Sequence, residues 1–183
     1  RPSAGVTISI KSCSFTGSAF VAFTAALVGV KVTMQNVSMP GSPSYAIMFT
    51  KDVTGCELIF EDCHIAAAVE RGVVFSASME RTSVALRNVT VAGAPKIGLD
   101  VAGSFANGRI SVASSNISGS DRASMVNAEA ANSTITVTDT ALVGQEGMTF
   151  RALRNCSLSV SNSHITAADS ALAFTGDLIS DDI

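Results

Sequence analysis

The stretch "VALRNVTVAG", residues 84–93, sets apolar residues at Val84 and Leu86, reaches Asn88, and resumes with Val91. Alternation with a period of 2 is the mark of a strand. Asn bonds its own backbone and tolerates left-handed dihedrals, so it marks a bend between two strands. The chain writes this pattern seven times: "TISIKSCSFTG" from Thr7, "VTMQNVSMPG" from Val32, "LIFEDCHIAA" from Leu58, "VALRNVTVAG" from Val84, "ISVASSNISG" from Ile110, "ITVTDTALVG" from Ile135 and "LSVSNSHITA" from Leu158. Repetition at a fixed period of this length means an array or solenoid.

Aligned, the first apolar position is Ile8, Val32, Leu58, Val84, Ile110, Ile135 and Leu158, at spacings of 24, 26, 26, 26, 25 and 23. The turn column reads Ser12, Asn36, Asp62, Asn88, Ser114, Asp139 and Asn162. Its carboxylates, Asp62 and Asp139, never neighbour each other, so amide and hydroxyl side chains can bond up and down the stack. A second strand carries Phe15, Met39, Ile65, Val91, Ile117, Leu142 and Ile165. A third carries Phe23, Phe49, Phe75, Val101, Val126, Phe150 and Phe174, in which the five Phe predict a stack within the core.

Short strands of this kind cannot bury an apolar face alone, but stacked ~4.8 Å apart they enclose one core. We therefore expect an all-β, right-handed parallel β-helix of about seven coils and three short strands per coil, roughly 34 Å long. A β-sandwich also uses short strands and frequent turns, but it does not require one residue class at one register seven times over. The 183 residues need only one domain. The start at Arg1 without a signal peptide and the uncapped end "DLISDDI" read as a piece of a longer solenoid.

Composition excludes several functions. The chain is 47% hydrophobic and 15% charged, with net charge −3 from 12 basic and 15 acidic residues scattered along it. No basic patch points to nucleic acid, and no apolar run reaches the ~18 residues of a membrane span. Cys13 and Cys63 share a column two coils apart, about 9.6 Å, too far for a disulfide; Cys56 and Cys156 share another, four coils apart. Buried small side chains are the expected role of all four, with a Cys56–Cys63 bridge across a corner the one alternative. His64 and His164 fall in one outward column ~19 Å apart, too far to share a metal.

The outer face of the first strand is nearly bare. It offers Ser9, Thr33, Ile59, Ala85, Ser111, Thr136 and Ser159, then Lys11, Gln35, Glu61, Arg87, Ala113, Thr138 and Ser161, with Glu61 and Arg87 expected to form an ion pair. Glycoside hydrolysis needs two carboxyls facing one cleft. The only adjacent carboxylates, Asp181 and Asp182, sit in the tail. We therefore expect no enzyme, no catalytic residue, no metal and no cofactor.

Five N-glycosylation patterns occur, at Asn36, Asn88, Asn116, Asn132 and Asn155. Asn132 and Asn155 share a loop column with Asn107 and are the expected acceptors, with Asn116 as an outward strand position. Asn36 and Asn88 belong to the turn ladder, and Asn88 is expected to be mostly buried and unmodified.

The units "VTISIKSCSFTG", "VALRNVTVAG", "ITVTDTALVG" and "LSVSNSHITA" resemble the repeats of the dispersed-gene-family surface proteins of trypanosomes, large glycoproteins with β-helical ectodomains. The resemblance spans essentially the whole chain and carries no catalytic residues with it. It implies a cell-surface or secreted role in adhesion to a host cell-surface or extracellular-matrix component. Bacterial autotransporter passengers look similar in general, but their GGAI and FxxN repeats are absent here. The alternatives are a polysaccharide-active lyase or hydrolase of pectin-lyase-like fold and a structural spacer.

Overall fold

Each turn of the chain is a rectangle of four strand sites joined by corners, and the corners follow from residue chemistry. The computed structural model describes residues 5–16, 20–41, 45–66, 70–92 and 95–180, with the backbone alone for 125–128. Asp181 and Asp182 lie outside the described residues. The first leg comprises Thr7–Ser14, Lys31–Met39, Glu57–Glu61, Ser83–Arg87, Arg109–Ala113, Thr134–Thr138 and Ser157–Ser161. Each pairs in parallel with the next, Ile8 beside Val32, then Leu58, Val84, Ile110, Ile135 and Leu158. The chain is all-β, a parallel β-solenoid of about six turns delimited by those seven strands.

The second leg holds His64–Ala66, Thr90–Ala92 and Asn116–Ser118, with Met39, Ile65, Val91, Ile117, Leu142 and Ile165 in one column. Val21–Phe23, Tyr45–Phe49, Arg71–Phe75 and Ile97–Val101 form the third leg, continued by parts of Arg122–Ala131, Ala141–Arg154 and His164–Phe174. A fourth leg, Leu27–Val28, Val53–Thr54, Met79–Glu80, Phe105–Ala106 and Leu178–Ile179, corrects the expectation of three strands per coil. It is two residues long at most of these coils, too short to show alternation in sequence.

The corner between first and second legs is left-handed in every coil: φ is 52° at Ser12, 53° at Asn36, 53° at Asp62, 52° at Asn88, 51° at Ser114, 51° at Asp139 and 48° at Asn162. A second left-handed column, between fourth and first legs, holds Gly29, Gly55, Arg81, Asn107, Asn132 and Asn155, with φ from 48° to 63°. A left-handed residue breaks the ladder, so the next N–H needs another acceptor. At the first corner it finds an inward hydroxyl on the next coil. Val89 N–H donates to Ser115 Oγ at 3.1 Å, Ser115 N–H to Thr140 Oγ1 at 3.3 Å, and Thr140 N–H to Ser163 Oγ at 3.2 Å. Each hydroxyl then donates at 2.8 Å to the carbonyl two residues back.

The second corner repeats the device through Thr82 and Ser133. All four cysteines are free thiols standing in for these hydroxyls: Cys13 and Cys63 at the first corner, Cys56 and Cys156 at the second. Cys56 Sγ accepts from Val30 N–H at 3.4 Å, a role for which a purely apolar side chain has no atom. Cys13 is exposed in the first coil and Cys156 half-buried, so only Cys56 and Cys63 meet the expectation that all four are buried.

The core is a set of stacked apolar columns. Phe23, Phe49 and Phe75 stack at 4.5 and 4.8 Å between ring centroids, Val101 and Val126 interrupt, and Phe150 and Phe174 resume at 5.6 Å. Phe75 is 1% exposed whereas Phe174, in the last coil, is 41% exposed. A neighbour on each side closes the core in the middle coils; a terminal coil has one neighbour only.

Candidate functional site

The third leg carries what the first leg lacks. Leu99 and Val101 point into the core, so by alternation Asp100 points to the outer side. Gly98 sets this geometry, because a Cβ there would lie 2.5 Å from Ile117 Cγ2 on the second leg. The strand is thereby drawn tight against the core at its start, with Ile97 and Asp100 turned outward.

Ile97 lies in register between Arg71 on the coil before and Arg122 on the coil after, and Glu146 follows Arg122. The residues immediately preceding those positions are Glu70, Lys96 and Asp121. The result is a cleft of about 330 Å³ across three adjacent coils, lined by Glu70, Arg71, Lys96, Ile97, Asp100, Asp121 and Arg122. Its centre is apolar, at Ile97, and its rim alternates in sign.

Asp100 forms the floor and is 1% exposed. Its Oδ2 accepts from Arg71 Nη1 at 3.1 Å, while its buried Oδ1 has no hydrogen-bond partner among the described residues. Burial pushes the Asp100 carboxyl above its ordinary value, opposed by the charges of Arg71 and Arg122. Arg122 donates through Nε to Glu146 at 2.6 Å and through Nη1 to Asp121 at 3.2 Å. The Thr149 hydroxyl donates to Glu146 at 2.7 Å and, together with Arg122, holds that carboxyl below its ordinary value. Glu70 and Lys96 make no side-chain hydrogen bond or ion pair among the described residues.

The remaining candidates fall elsewhere. On the first leg Arg87 and Glu61 are in register, yet the expected ion pair does not form; Glu61 instead accepts from Gln35 Nε2 at 3.3 Å. His64 and His164 are both exposed. Among the described residues no three His, Cys, Asp or Glu side chains gather as metal ligands would, and no helix is long and apolar enough to cross a membrane.

All five asparagines of the acceptor patterns, Asn36, Asn88, Asn116, Asn132 and Asn155, are exposed. This corrects the expectation for Asn88. Its Nδ2 does donate to Asp62 Oδ1 at 2.7 Å, but the rung lies on the outside of the corner. Asn132 and Asn155 lie not in an irregular loop but in the second left-handed corner, so they differ from Asn88 in which corner they occupy rather than in accessibility.

The charged cleft lies outside the polar columns of the first-strand face, in columns of the third leg. Counting back four from the Phe column gives Tyr45, Arg71, Ile97, Arg122, Glu146 and Ser170, and counting back one gives Met48, Val74, Asp100, Met125, Thr149 and Ala173. A lone Asp in that second column was the available signal. No protein-family model, no curated protein and no solved structure matches this chain.

Proposed function

We propose that this chain is a non-catalytic binding module of a cell-surface or secreted protein, attaching through the third-leg cleft to a component of a cell surface or extracellular matrix. The observation that carries this reading is the cleft itself: charges from three adjacent coils converge on one apolar residue, whereas on the outer face of the first leg the column from Ser9 to Ser159 is uncharged and regular. Both arginines are engaged by carboxylates in the free protein. The resemblance to β-helical trypanosome surface glycoproteins and the five exposed acceptor asparagines support a surface location. The protein immobilised on a support should retain cells or matrix components, and Lys96→Ala should weaken that retention. Retention indistinguishable from a bare support would sink the proposal.

One observation favours a second reading, a polysaccharide-active enzyme of pectin-lyase-like fold. Asp100 is a buried carboxyl whose proton affinity is raised, the condition for a general acid. Release of new reducing or unsaturated sugar ends from a polysaccharide panel, abolished by Asp100→Asn, would select this reading over the first.

A further inference from the structure

We infer that the third-leg cleft is a subsite for one neutral, hydroxyl-rich ring, a saccharide residue whose hydroxyl donates to Asp100 Oδ1; this rests on the binding-module reading and names its ligand class.

The first ground is the orphan acceptor. A carboxylate oxygen buried without a donor carries an uncompensated desolvation cost of about 1–3 kcal/mol or more. The nearby donors are committed elsewhere: Arg71 Nη1 serves the other oxygen of Asp100, and Arg122 serves Glu146 and Asp121. Asp100 lines the cleft, and its Oδ1, covered in the free protein, is the acceptor for which a ligand O–H can supply the missing bond.

The second ground is the sign pattern. Along the rim Glu70, Lys96 and Asp121 alternate negative, positive, negative, and beneath them Arg71 and Arg122 flank the apolar Ile97. An anionic ligand meets Glu70, Asp121 and Asp100; a cationic one meets Arg71, Lys96 and Arg122. Either is opposed wherever it sits. A neutral polyol is opposed nowhere, since each hydroxyl both donates and accepts. The free side chains supply the complement, with Glu70 and Asp100 Oδ1 as acceptors and Lys96 as donor.

The third ground is shape. Ile97, 7% exposed, lies in the centre of the cleft, where the C–H face of a sugar ring would rest while its hydroxyls reach the charged rim. A volume of about 330 Å³ is near the lower end of the ~300–1,000 Å³ usual for small-molecule sites and suits one ring rather than a long chain. Oδ1 is covered in the free protein, so binding requires a lining side chain to shift; Arg71, the partner of Oδ2, is 36% exposed and has solvent to move into.

The test is a titration of the full chain followed by backbone amide NMR, with D-glucose, D-galactose, D-mannose and N-acetyl-D-glucosamine as neutral probes. D-glucuronate and D-glucosamine serve as the charged ones. At least one neutral sugar should shift the Ile97 and Asp100 amide signals. Glu70→Gln with Lys96→Ala, both on the rim and outside the core, should weaken that binding at least about tenfold, the loss of one hydrogen bond to a charged group. Asp100→Asn should do the same while the rest of the spectrum stays folded. Preference for a charged sugar at the same amides overturns the neutral-ligand inference and leaves the binding-module reading standing. Sugar shifts that survive the rim variant place the sugar elsewhere and overturn the subsite. No shift with any probe, with cell or matrix retention intact, overturns the saccharide assignment alone; no shift and no retention overturn both.

Discussion

On the outer side of the first leg, residues stack in register over seven strands as Ser9, Thr33, Ile59, Ala85, Ser111, Thr136 and Ser159, none of them charged. On the outer side of the third leg, an equally regular ladder holds Val74, Asp100 and, two coils after Asp100, Thr149, and beside it Arg71, Ile97, Arg122 and Glu146. The two faces obey the same backbone physics and differ in what the side chains ask of their neighbours. The uncharged side chains of the first column stack on one another at strand spacing and bury no lone charge. Asp100 is 1% exposed and its Oδ1 has no partner among the described residues, so the third face carries a polar group that stacking does not satisfy. Uniform columns hold the solenoid together, and a break in uniformity leaves a group that stacking does not satisfy.

Both faces rest on one core, so the largest effect should come from removing it. Phe75→Ala deletes a 1%-exposed ring stacked on Phe49 and should cost about 3–5 kcal/mol in chemical denaturation, as large aromatic truncations do. Phe174→Ala removes a ring that is 41% exposed and stacked on one side only, and should cost about half as much. Equal losses would mean that the middle and end coils are not packed as differently as their exposures imply.

The next contrast sets the faces directly against each other. Arg71→Ala strips the partner from a buried carboxylate. Breaking a fully buried pair costs about 3–5 kcal/mol; with Arg71 partly in water, about 2 kcal/mol is expected. Arg87→Ala on the first face breaks no ion pair and should stay within about 0.5 kcal/mol.

Acidity sharpens the same point. Because the folded Asp100 carboxyl titrates above its ordinary 3.8, the folded state binds the extra proton between those two values. Its contribution to stability therefore falls as pH rises through that window, opposite in sign to Glu146, whose lowered value makes stability fall as pH drops below the carboxylate range. Asp100→Asn should remove the first slope and leave the second, as read from denaturation midpoints across acid pH.

An effect no larger than that of Arg71→Ala is expected at a corner. Asn88→Ala places an alanine at φ 52° and removes the rung to Asp62, which should cost about 1–2 kcal/mol. Asn88→Gly relieves the dihedral and should cost less. Equal costs would show that the rung, not the dihedral, selects Asn at that corner.

How much could be read from sequence follows the same division. The first and second legs are legible because each holds several residues of strict alternation ending at a residue suited to left-handed geometry. Register follows from that corner, and the Phe column from counting onward. The fourth leg, two residues long at coils such as Val53–Thr54, is shorter than any period. The second corner hides because its residues are of mixed type, Gly29, Gly55, Arg81, then Asn107, Asn132 and Asn155, and one arginine breaks the eye's grouping. The inward hydroxyls share one column with Cys and Val, and that they accept the corner N–H groups depends on a neighbour about 25 residues away. The cleft is a joint property of three coils, visible only when Arg71, Asp100 and Arg122 are laid side by side.

The central claim, that function resides where the repeat is broken, is tested most directly by a matched pair of variants in one retention assay on the full chain. Glu70→Gln with Lys96→Ala removes two charges from the rim of the third-leg cleft; Lys11→Ala with Arg87→Ala removes two from the first face. With fold verified by circular dichroism, the third-leg pair should lose cell or matrix retention by at least about tenfold, the loss of one hydrogen bond to a charged group, while the first-leg pair binds as the parent does. Loss confined to the first-leg pair, or equal behaviour of the two, would contradict the account.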